Sequence, residues 1–219
     1  MEHKVKLNGR EYGLPIVEIK ERLSIAVFDM LSSEELAADA SKALLDKLKK
    51  SDIDLDKVDT ILSAETKGVI LAYQLARDLN KQMVILRKEH KVYHPQVTKG
   101  AVNTYTTKNE HFLYLYNNQT PKLKNKKVLI VDDVVSTGSS LKAIEAILNT
   151  VEADIAGKAF VFAEGDAANR DDIVYVNSEM YYLAGKQPIA TVYDDVKTVI
   201  FADVFSVTDW LADINADIV

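Results

Sequence analysis

Two adjacent carboxylates stand shortly before a run of hydroxyl side chains in this 219-residue chain. Asp132 and Asp133 follow the apolar run 128–131, and the segment 136–140 then has the sequence Ser-Thr-Gly-Ser-Ser. Carboxylates accept hydrogen bonds from sugar hydroxyls or hold a hydrated magnesium ion. A small glycine turn before a helix offers backbone N–H groups and hydroxyls to a phosphate. The pattern therefore suits a phosphorylated sugar.

The elements around this run predict where it lies in a fold. The β-branched run 128–131 is typical of a buried parallel strand, which places both carboxylates at the carboxyl end of that strand, where open α/β sheets bind ligands. Gly138 allows the positive φ of a tight turn, and we expect a helix to begin near Ser139. No Gly-Lys-Ser/Thr follows the glycine, which excludes a Walker A loop. The alternative is a strand joined to a capped helix by a polar turn that binds nothing.

A second segment suited to an anion precedes the first one. Residues 63–68 have the sequence Ser-Ala-Glu-Thr-Lys-Gly and lie between a predicted strand and a predicted helix, so amide groups, a helix N-terminus and Lys67 can meet a negative charge. The next predicted strand runs into Arg87 and Lys88, with Lys91 just beyond. Several cations near two strand ends are what a pyrophosphate group requires, whereas each lysine alone is compatible with a solvated surface.

The order of these segments resembles that of the type I phosphoribosyltransferases, which use phosphoribosyl pyrophosphate (PRPP). The run 128–140 resembles their PRPP motif, and residues 65–68 resemble the pyrophosphate loop of the purine members. Residues 86–91 are similar to the Arg-Lys-x-x-Lys segment of adenine and xanthine phosphoribosyltransferases. The segment 92–111 then corresponds to their mobile catalytic loop, and Tyr105, after Thr104, stands where adenine enzymes have Ser-Tyr.

The resemblance covers residues 55–165 and implies transfer of ribose 5-phosphate from PRPP to a purine base, with release of pyrophosphate. Magnesium is the implied cofactor, and its expected ligands are Asp132 and Asp133. The 5′-phosphate is expected on Ser136, Thr137, Gly138, Ser139 and Ser140. Pyrophosphate is expected on Glu65, Thr66, Lys67, Gly68, Arg87, Lys88 and Lys91. The residues expected to act in catalysis are Asp132, Asp133, Lys67, Arg87 and Tyr105, and the segment 92–111 is expected to close as a lid.

The acceptor base is less constrained by the sequence. Family members hold the base under a small hood, which here corresponds to residues 1–35 and the tail after 163. Glu164 follows a predicted strand, and a carboxylate accepts hydrogen bonds from amino and ring N–H groups, which favours adenine or guanine over xanthine. The loop sequence instead resembles that of the xanthine enzymes, and the two indications conflict. We therefore expect a purine, with adenine favoured on the basis of Glu164, and a xanthine/guanine-type enzyme is the alternative. The residues expected to contact the base are Ile25, Val27, Phe28, Val134 and Glu164, although plain core residues and a solvated loop acid would give the same pattern.

Alternating strand-like and helix-like segments predict an α/β fold. The resemblance specifies it further as a type I phosphoribosyltransferase-like parallel sheet with helices on both faces and a small hood subdomain. Asn8-Gly9 predicts a hairpin turn, Ser32 or Ser33 is suited to cap a helix, and 112–116 is expected as a further strand of the alternation. The expected organisation is an N-terminal hood segment at 1–35, a PRPP-binding core at 36–165 and a C-terminal hood or tail segment at 166–219.

Composition and charge limit the classes of function. The net charge of −6 argues against a broad basic surface, so no nucleic-acid partner is expected. The same charge, with no basic helix-turn-helix, argues against the alternative of a PRPP-sensing regulator without catalysis. There is no cysteine, no signal-peptide pattern and no apolar run near about 18 residues, so a cytoplasmic enzyme without membrane contact is expected. Family members are often dimers, and a homodimer is expected here. A third hypothesis is an enzyme acting on a different nitrogen base.

Several other polar features are expected to have no special role. The four histidines lack metal-ligand spacing, and the paired acids Asp171 and Asp172 are expected on a solvated face. Trp210, Leu211 and Ile214 are spaced for one face of a C-terminal helix that docks on the body or on a partner subunit.

Overall fold

A computed structural model describes residues 2–20, 23–91, 96–102, 111–178, 183–184 and 199–201. Its α-helices are α1 (Glu34–Leu48), α2 (Gly68–Asp78) and α3 (Ser139–Thr150). Its strands are β1 (Glu2–Leu7), β2 (Arg10–Lys20), β3 (Leu23–Val27), β4 (Thr60–Ala64), β5 (Gln82–Leu86), β6 (Val97–Val102), β7 (His111–Tyr116), β8 (Lys127–Val135), β9 (Asp154–Ala163), β10 (Val174–Asn177), β11 (Leu183–Ala184) and β12 (Val199–Phe201). Short 3-10 helices cover Leu55–Lys57, Asn117–Lys122 and Gly165–Asn169. None of the helices in this described part of the chain has the length and apolar character needed to cross a lipid bilayer.

The core is a five-stranded parallel sheet in the order β10-β9-β8-β4-β5. Its strands are rich in buried aliphatic side chains on both faces, because α1 and α2 cover one face and α3 covers the other. Counted along the chain, the strands run 2-1-3-4-5 from β5 to β10, so the order reverses between β4 and β8. That reversal is the switch point at which open α/β sheets bind ligands. The predicted fold class is confirmed.

A second sheet is built from both ends of the described chain. The hairpin of β1 and β2 turns at Asn8 and Gly9, whose φ angles of 49° and 81° are those of the predicted two-residue turn. β3 pairs with β2, and the short β11 and β12 share the other edge of β3. Strands from both predicted hood segments therefore form one sheet. The exact division of the chain stays a prediction, since β10, from the predicted tail, joins the core sheet.

The second sheet is tied to α1 by polar contacts as well as by apolar packing. Ser33 caps α1 as predicted, since its side chain accepts a hydrogen bond from Leu36 N at 3.2 Å. Tyr12 Oη donates to Asp39 Oδ2 at 2.5 Å, which joins β2 to α1 through a half-buried contact. Partial burial and this bond to a carboxylate raise the pKa of Tyr12 to about 12. The tyrosine therefore stays a neutral donor at every physiological pH.

Two predictions for the segment between β5 and β8 were wrong. Part of the expected lid is a strand, because β6 carries β-branched side chains and pairs antiparallel with β7. β7 does not continue the parallel alternation, and it meets the end of β5 only through a single bridge between Arg87 and Tyr114. The resulting two-stranded ribbon packs on α3, where a Cβ atom on Gly100 would collide with the carbonyl oxygen of Ala143. Residues 92–95 and 103–110 of the expected lid, with Tyr105, lie outside the described residues.

The central strand is longer than predicted. β8 continues through Asp132 and Asp133 to Val135, because Val134 and Val135 pair with Phe162 and Ala163 of β9. The two acids therefore lie inside the strand, close to its carboxyl end, and strand geometry fixes the directions of their side chains.

Candidate active site

The segments predicted to bind ligand all emerge at one edge of the core sheet. Because β4, β5, β8 and β9 are parallel, their carboxyl ends share that edge, and the chain leaves them into 65–68, 87–88, 136–140 and Glu164 respectively. The pairing of β4 with β8 ends at Leu62 and Ile130, although β8 continues for five more residues. The edge between these two strands is the topological switch point, where a ligand is expected.

Asp132 lies against the start of α2 at this switch point. A Cβ atom on Gly68 would collide with Asp132 Oδ1 and with Ser63 Oγ, so the glycine makes room for both oxygens. Asp132 Oδ1 also accepts a hydrogen bond from Asp133 N at 3.0 Å. The sequence-predicted acid and the glycine of the second anion segment, 64 positions apart in the sequence, are thus brought together. The positive end of α2 favours an anion at this point.

The close approach at Gly68 makes the site sensitive to a single methyl group. We expect Gly68→Ala to push Asp132 or the start of α2 out of place, because the added carbon has no free volume. Overpacking of this kind destabilises a protein by about 1–3 kcal/mol. Chemical denaturation measures the loss of stability. Initial rates measure the loss of turnover, which we expect to be larger than the unfolded fraction of the variant explains. A variant with wild-type stability and turnover would show that the two segments do not meet as described.

Glu65 joins the two segments predicted to bind pyrophosphate. Its Oε2 atom accepts a hydrogen bond from Lys88 N at 2.9 Å, and its Oε1 atom lies 2.7 Å from Arg87 Nε. The second contact is an ion pair outside hydrogen-bond alignment, and the Arg87 side chain remains 41% exposed. The peptide bond between Glu65 and Thr66 is cis. Since its carboxylate would repel a pyrophosphate, Glu65 is suited to orient Arg87 and Lys88 rather than to contact the anion.

Two of the predicted pyrophosphate-binding lysines have protein partners here. Lys67 Nζ donates to the backbone oxygen of Phe28 at 2.9 Å, which links the start of α2 to the residue after β3. Lys91 forms an ion pair with Glu89 on the same short segment. A pyrophosphate would therefore compete with a carbonyl oxygen for Lys67 and with a carboxylate for Lys91.

The segment after β8 has the conformation that its sequence predicts. Gly138 has φ 75° and ψ 13°, and α3 begins at the next residue. Thr137 Oγ1 donates to Ser139 Oγ at 3.3 Å and accepts from Ser139 N at 3.4 Å, so the two hydroxyls are held together at the helix start. Backbone amides, hydroxyls and the positive end of α3 thus converge on one loop.

Glu164 is buried, and the alternative of a solvated loop acid is therefore wrong. Only 2% of the residue is exposed, and its backbone N–H donates to Val135 O at 2.9 Å. Neither carboxyl oxygen has a hydrogen-bond partner among the described residues. Burial, and then the charge of the buried Asp133, raise the pKa of Glu164 well above its ordinary value. Burial therefore favours the protonated side chain, a carboxylic acid that can both donate and accept a hydrogen bond.

The apolar residues predicted to contact the base have different surroundings. Phe28 is fully buried and packs edge-to-face on Phe162, with ring centroids 4.8 Å apart, so its ring has no exposed face here. Val27 and Val134 are half-buried. Ile25 lies in β3, but its side chain is outside the described part of the structure.

The structure adds one polar group that sequence reasoning missed, Arg170, and shows the surroundings of another, Ser63. Ser63 is buried at the end of β4, and its Oγ atom has no hydrogen-bond partner within the described residues. Arg170 places Nη1 3.3 Å from the point where a Cβ atom on Gly138 would stand. Asp172 is exposed, as predicted, and it also accepts hydrogen bonds from Arg170 and Lys158, which hold its pKa well below the ordinary range. Ser63 is the first residue of the segment 63–68 that the sequence marked for an anion, whereas nothing in the sequence indicates that Arg170 reaches position 138.

Comparisons with known proteins agree with this geometry. The family model described as the phosphoribosyl transferase domain matches residues 29–184. The adenine phosphoribosyltransferase of Brachyspira hyodysenteriae is 28% identical over 135 residues, which are 62% of this chain and 76% of that enzyme. In structure, the chain is similar to adenine phosphoribosyltransferase from Thermoanaerobacter pseudethanolicus, with a TM-score of 0.56 and 18% identity over 68% of this chain and 84% of that one. The Saccharomyces cerevisiae enzyme gives a TM-score of 0.54 and 18% identity over 92% of this chain and 93% of that one.

The parallel sheet, with its reversal of strand order between β4 and β8, defines a doubly wound α/β protein. The match over residues 29–184 then shows that the chain belongs to the phosphoribosyl transferase family. The predicted enzyme class, a glycosyltransferase that transfers a phosphoribosyl group, is confirmed.

Proposed function

We propose that this enzyme transfers the 5-phosphoribosyl group of PRPP to adenine, releasing pyrophosphate and the nucleoside monophosphate in purine salvage. The similar proteins of known name, in Brachyspira hyodysenteriae and in other bacteria, are adenine phosphoribosyltransferases. The Saccharomyces cerevisiae enzyme of the same fold was solved with adenine bound. The predicted homodimer belongs to the same proposal, and sedimentation equilibrium tests it.

The observation that carries the proposal is the close approach of Asp132 to Gly68, which places the strand before one predicted anion-binding segment against the other segment. Asp132 lies against Gly68 at the start of α2, and β8 leads within a few residues into the loop at the start of α3. PRPP has a pyrophosphate and a phosphate on opposite ends of one ribose. A site for it needs two anion cradles with hydrogen-bond acceptors for hydroxyl groups between them, and this edge has that order.

Magnesium fits the donor set at this edge. Asp132 and Asp133 provide hard carboxylate oxygens, the ligands that Mg²⁺ prefers. Among the described residues, no three His, Cys, Asp or Glu side chains are grouped to hold an ion, so further ligands would have to come from PRPP and water. When bound, the ion would neutralise part of the pyrophosphate charge.

The chain's own residues are suited to a reaction with an oxocarbenium-like transition state. Arg87, oriented by Glu65, and Lys88, whose backbone Glu65 holds, would stabilise the negative charge that builds on the departing pyrophosphate. Residues 136–140 would hold the 5′-phosphate and so fix the ribose in register. Asp132 and Asp133 would accept hydrogen bonds from the ribose hydroxyls. Tyr105 and the rest of the predicted lid outside β6 and β7 would exclude water from the cationic centre.

Glu164 supports adenine as the acceptor. A neutral carboxylic acid can donate to a ring nitrogen and accept from an adjacent amino group, and adenine offers that donor–acceptor pair. Xanthine has no amino group and would pair with the same acid through a carbonyl oxygen and a ring N–H, so a comparison of the bases is needed to separate the two. A carboxyl group that is buried without partners gains most from a ligand that satisfies both of its oxygens.

A panel of bases tests the acceptor. Purified protein with PRPP and magnesium is supplied separately with adenine, guanine, hypoxanthine, xanthine or orotate, and initial rates of pyrophosphate release are compared as kcat/KM. We expect adenine to exceed xanthine by at least about 100-fold, the discrimination that an unpaired buried polar group supports. Faster turnover of xanthine or guanine would assign the alternative acceptor, in agreement with the loop sequence 103–110.

A further inference from the structure

We propose that Arg170 is a 5′-phosphate-binding residue, supplied to the phosphate loop from the segment that follows β9. The inference rests on the proposed function, because it takes the loop 136–140 as the site of the PRPP 5′-phosphate. It adds to that loop a cation from a part of the chain that the sequence resemblance did not cover.

The position of the guanidinium carries the first step. Arg170 Nη1 lies 3.3 Å from the place of a Cβ atom on Gly138, and Gly138 is the left-handed residue directly before α3. The guanidinium is therefore beside the turn that offers its amides to a phosphate. The loop 136–140 contains no charged side chain of its own. Within the loop itself, a phosphate dianion would meet neutral donors and the start of α3.

The contacts of Arg170 with Asp172 explain why Nη1 is directed to the loop 136–140. Nε donates to Asp172 Oδ1 at 2.8 Å and Nη2 donates to Asp172 Oδ2 at 2.7 Å. This two-bond fork uses one edge of the planar guanidinium and fixes its orientation, so that Nη1 is on the side away from the carboxylate. The arginine side chain is 30% exposed, which leaves it partly shielded from water yet open to a ligand.

A wider network anchors the fork to the body of the fold. Lys158 of β9 contacts Asp172 Oδ2 at 2.7 Å and Glu145 of α3 at 2.6 Å, and only 15% of its side chain is exposed. Glu145, Lys158, Asp172 and Arg170 thus form an alternating series of charges from the helix to the loop. An isolated surface ion pair would not need this support, whereas a cation that must meet a phosphate in one geometry benefits from it.

Calorimetric titration with three ligands tests the role. Each is added with magnesium to the wild-type protein, to Arg170→Gln and to a control, Arg77→Gln, whose arginine lies in the last turn of α2, at the far end from its start. We expect Arg170→Gln to weaken PRPP and ribose 5-phosphate by about 10- to 100-fold, the range of one charge-assisted hydrogen bond, with pyrophosphate unchanged. Arg77→Gln is expected to bind all three like the wild type.

The outcomes separate this inference from the function on which it rests. A wild-type protein that does not bind PRPP would overturn the proposed function. If the wild type binds PRPP and Arg170→Gln binds both PRPP and ribose 5-phosphate as tightly as the wild type does, the role of Arg170 alone is overturned. The same holds if Arg170→Gln loses affinity for pyrophosphate by the same factor as for the other two ligands. Asp172→Asn provides a second variant that keeps the cation but loosens its fork, and it is expected to weaken ribose 5-phosphate by a smaller factor. Thermal melts confirm that each variant is folded.

Discussion

Asp133→Asn is expected to lower kcat/KM for PRPP by about 100- to 1,000-fold, the usual loss when an electrostatic contact to the transition state is removed. The asparagine keeps the shape of the side chain but has no charge to favour the developing ribosyl cation or to hold magnesium. Initial rates of pyrophosphate release with adenine measure the effect. Asp154→Asn, at the start of β9 and therefore at the opposite edge of the sheet, is the matched control and is expected to leave the rate unchanged.

The same substitution is not expected to destabilise the fold. Asp133 is only 4% exposed, and its charge is one of the two causes that raise the pKa of Glu164. Asparagine keeps the size of the side chain and a hydrogen-bonding oxygen, and it removes the buried charge that helps to raise the pKa of Glu164. Denaturation at neutral pH is expected to give Asp133→Asn a stability equal to or above that of the wild type. Wild-type turnover, or a lost fold, would contradict the proposed role of Asp133.

Glu164→Gln is expected to make the protein more stable at neutral pH and to leave it unchanged near pH 4. Because its pKa is raised in the folded state, Glu164 loses its proton at a higher pH in the folded protein than in the unfolded chain. Folding then takes up a proton, and the wild-type protein loses stability as pH rises from about 4.3 through the folded-state pKa. The loss is about 1.4 kcal/mol per pH unit within that window for one proton. Glutamine does not titrate and lacks this slope.

The difference between the two stability curves isolates this group from the other acids of the chain. Urea denaturation of wild type and Glu164→Gln at several pH values from 4 to 8 gives the difference directly, with Glu152→Gln, an exposed acid, as the control. Parallel curves for the wild type and Glu164→Gln would contradict a buried neutral carboxyl group. The amide keeps one donor and one acceptor, so we expect Glu164→Gln to retain more adenine turnover than Glu164→Leu.

The elements that carry a local signal were predictable from the sequence. The Asn8-Gly9 turn, the Ser33 cap and the Gly138 turn are each specified by residues within a few positions, and each has the expected conformation. The parallel sheet followed from the alternation of apolar segments. The order of the segments in the sequence suggested that Asp132 and Gly68 lie near the same switch point, and the structure gives their close approach.

The parts that sequence reasoning missed depend on tertiary partners. The segment around β6 is polar and contains Gly100, and only its pairing with β7 and its packing on α3 make it a strand. Val134 and Val135 extend β8 because β9 is long enough to pair with them. The burial of Glu164 and the reach of Arg170 to Gly138 arise between segments that are distant or irregular in the sequence, where no periodicity exists to detect.

Product analysis tests the central claim most directly. The protein is incubated with PRPP, magnesium and adenine, and both products are quantified, the nucleotide by mass spectrometry and pyrophosphate enzymatically. The proposal predicts adenosine monophosphate and pyrophosphate in equal amounts, formed at a rate that Asp133→Asn reduces by about two orders of magnitude or more. Clear binding of PRPP without formation of a nucleotide from any base in the panel would contradict catalysis, and would favour a protein that senses PRPP.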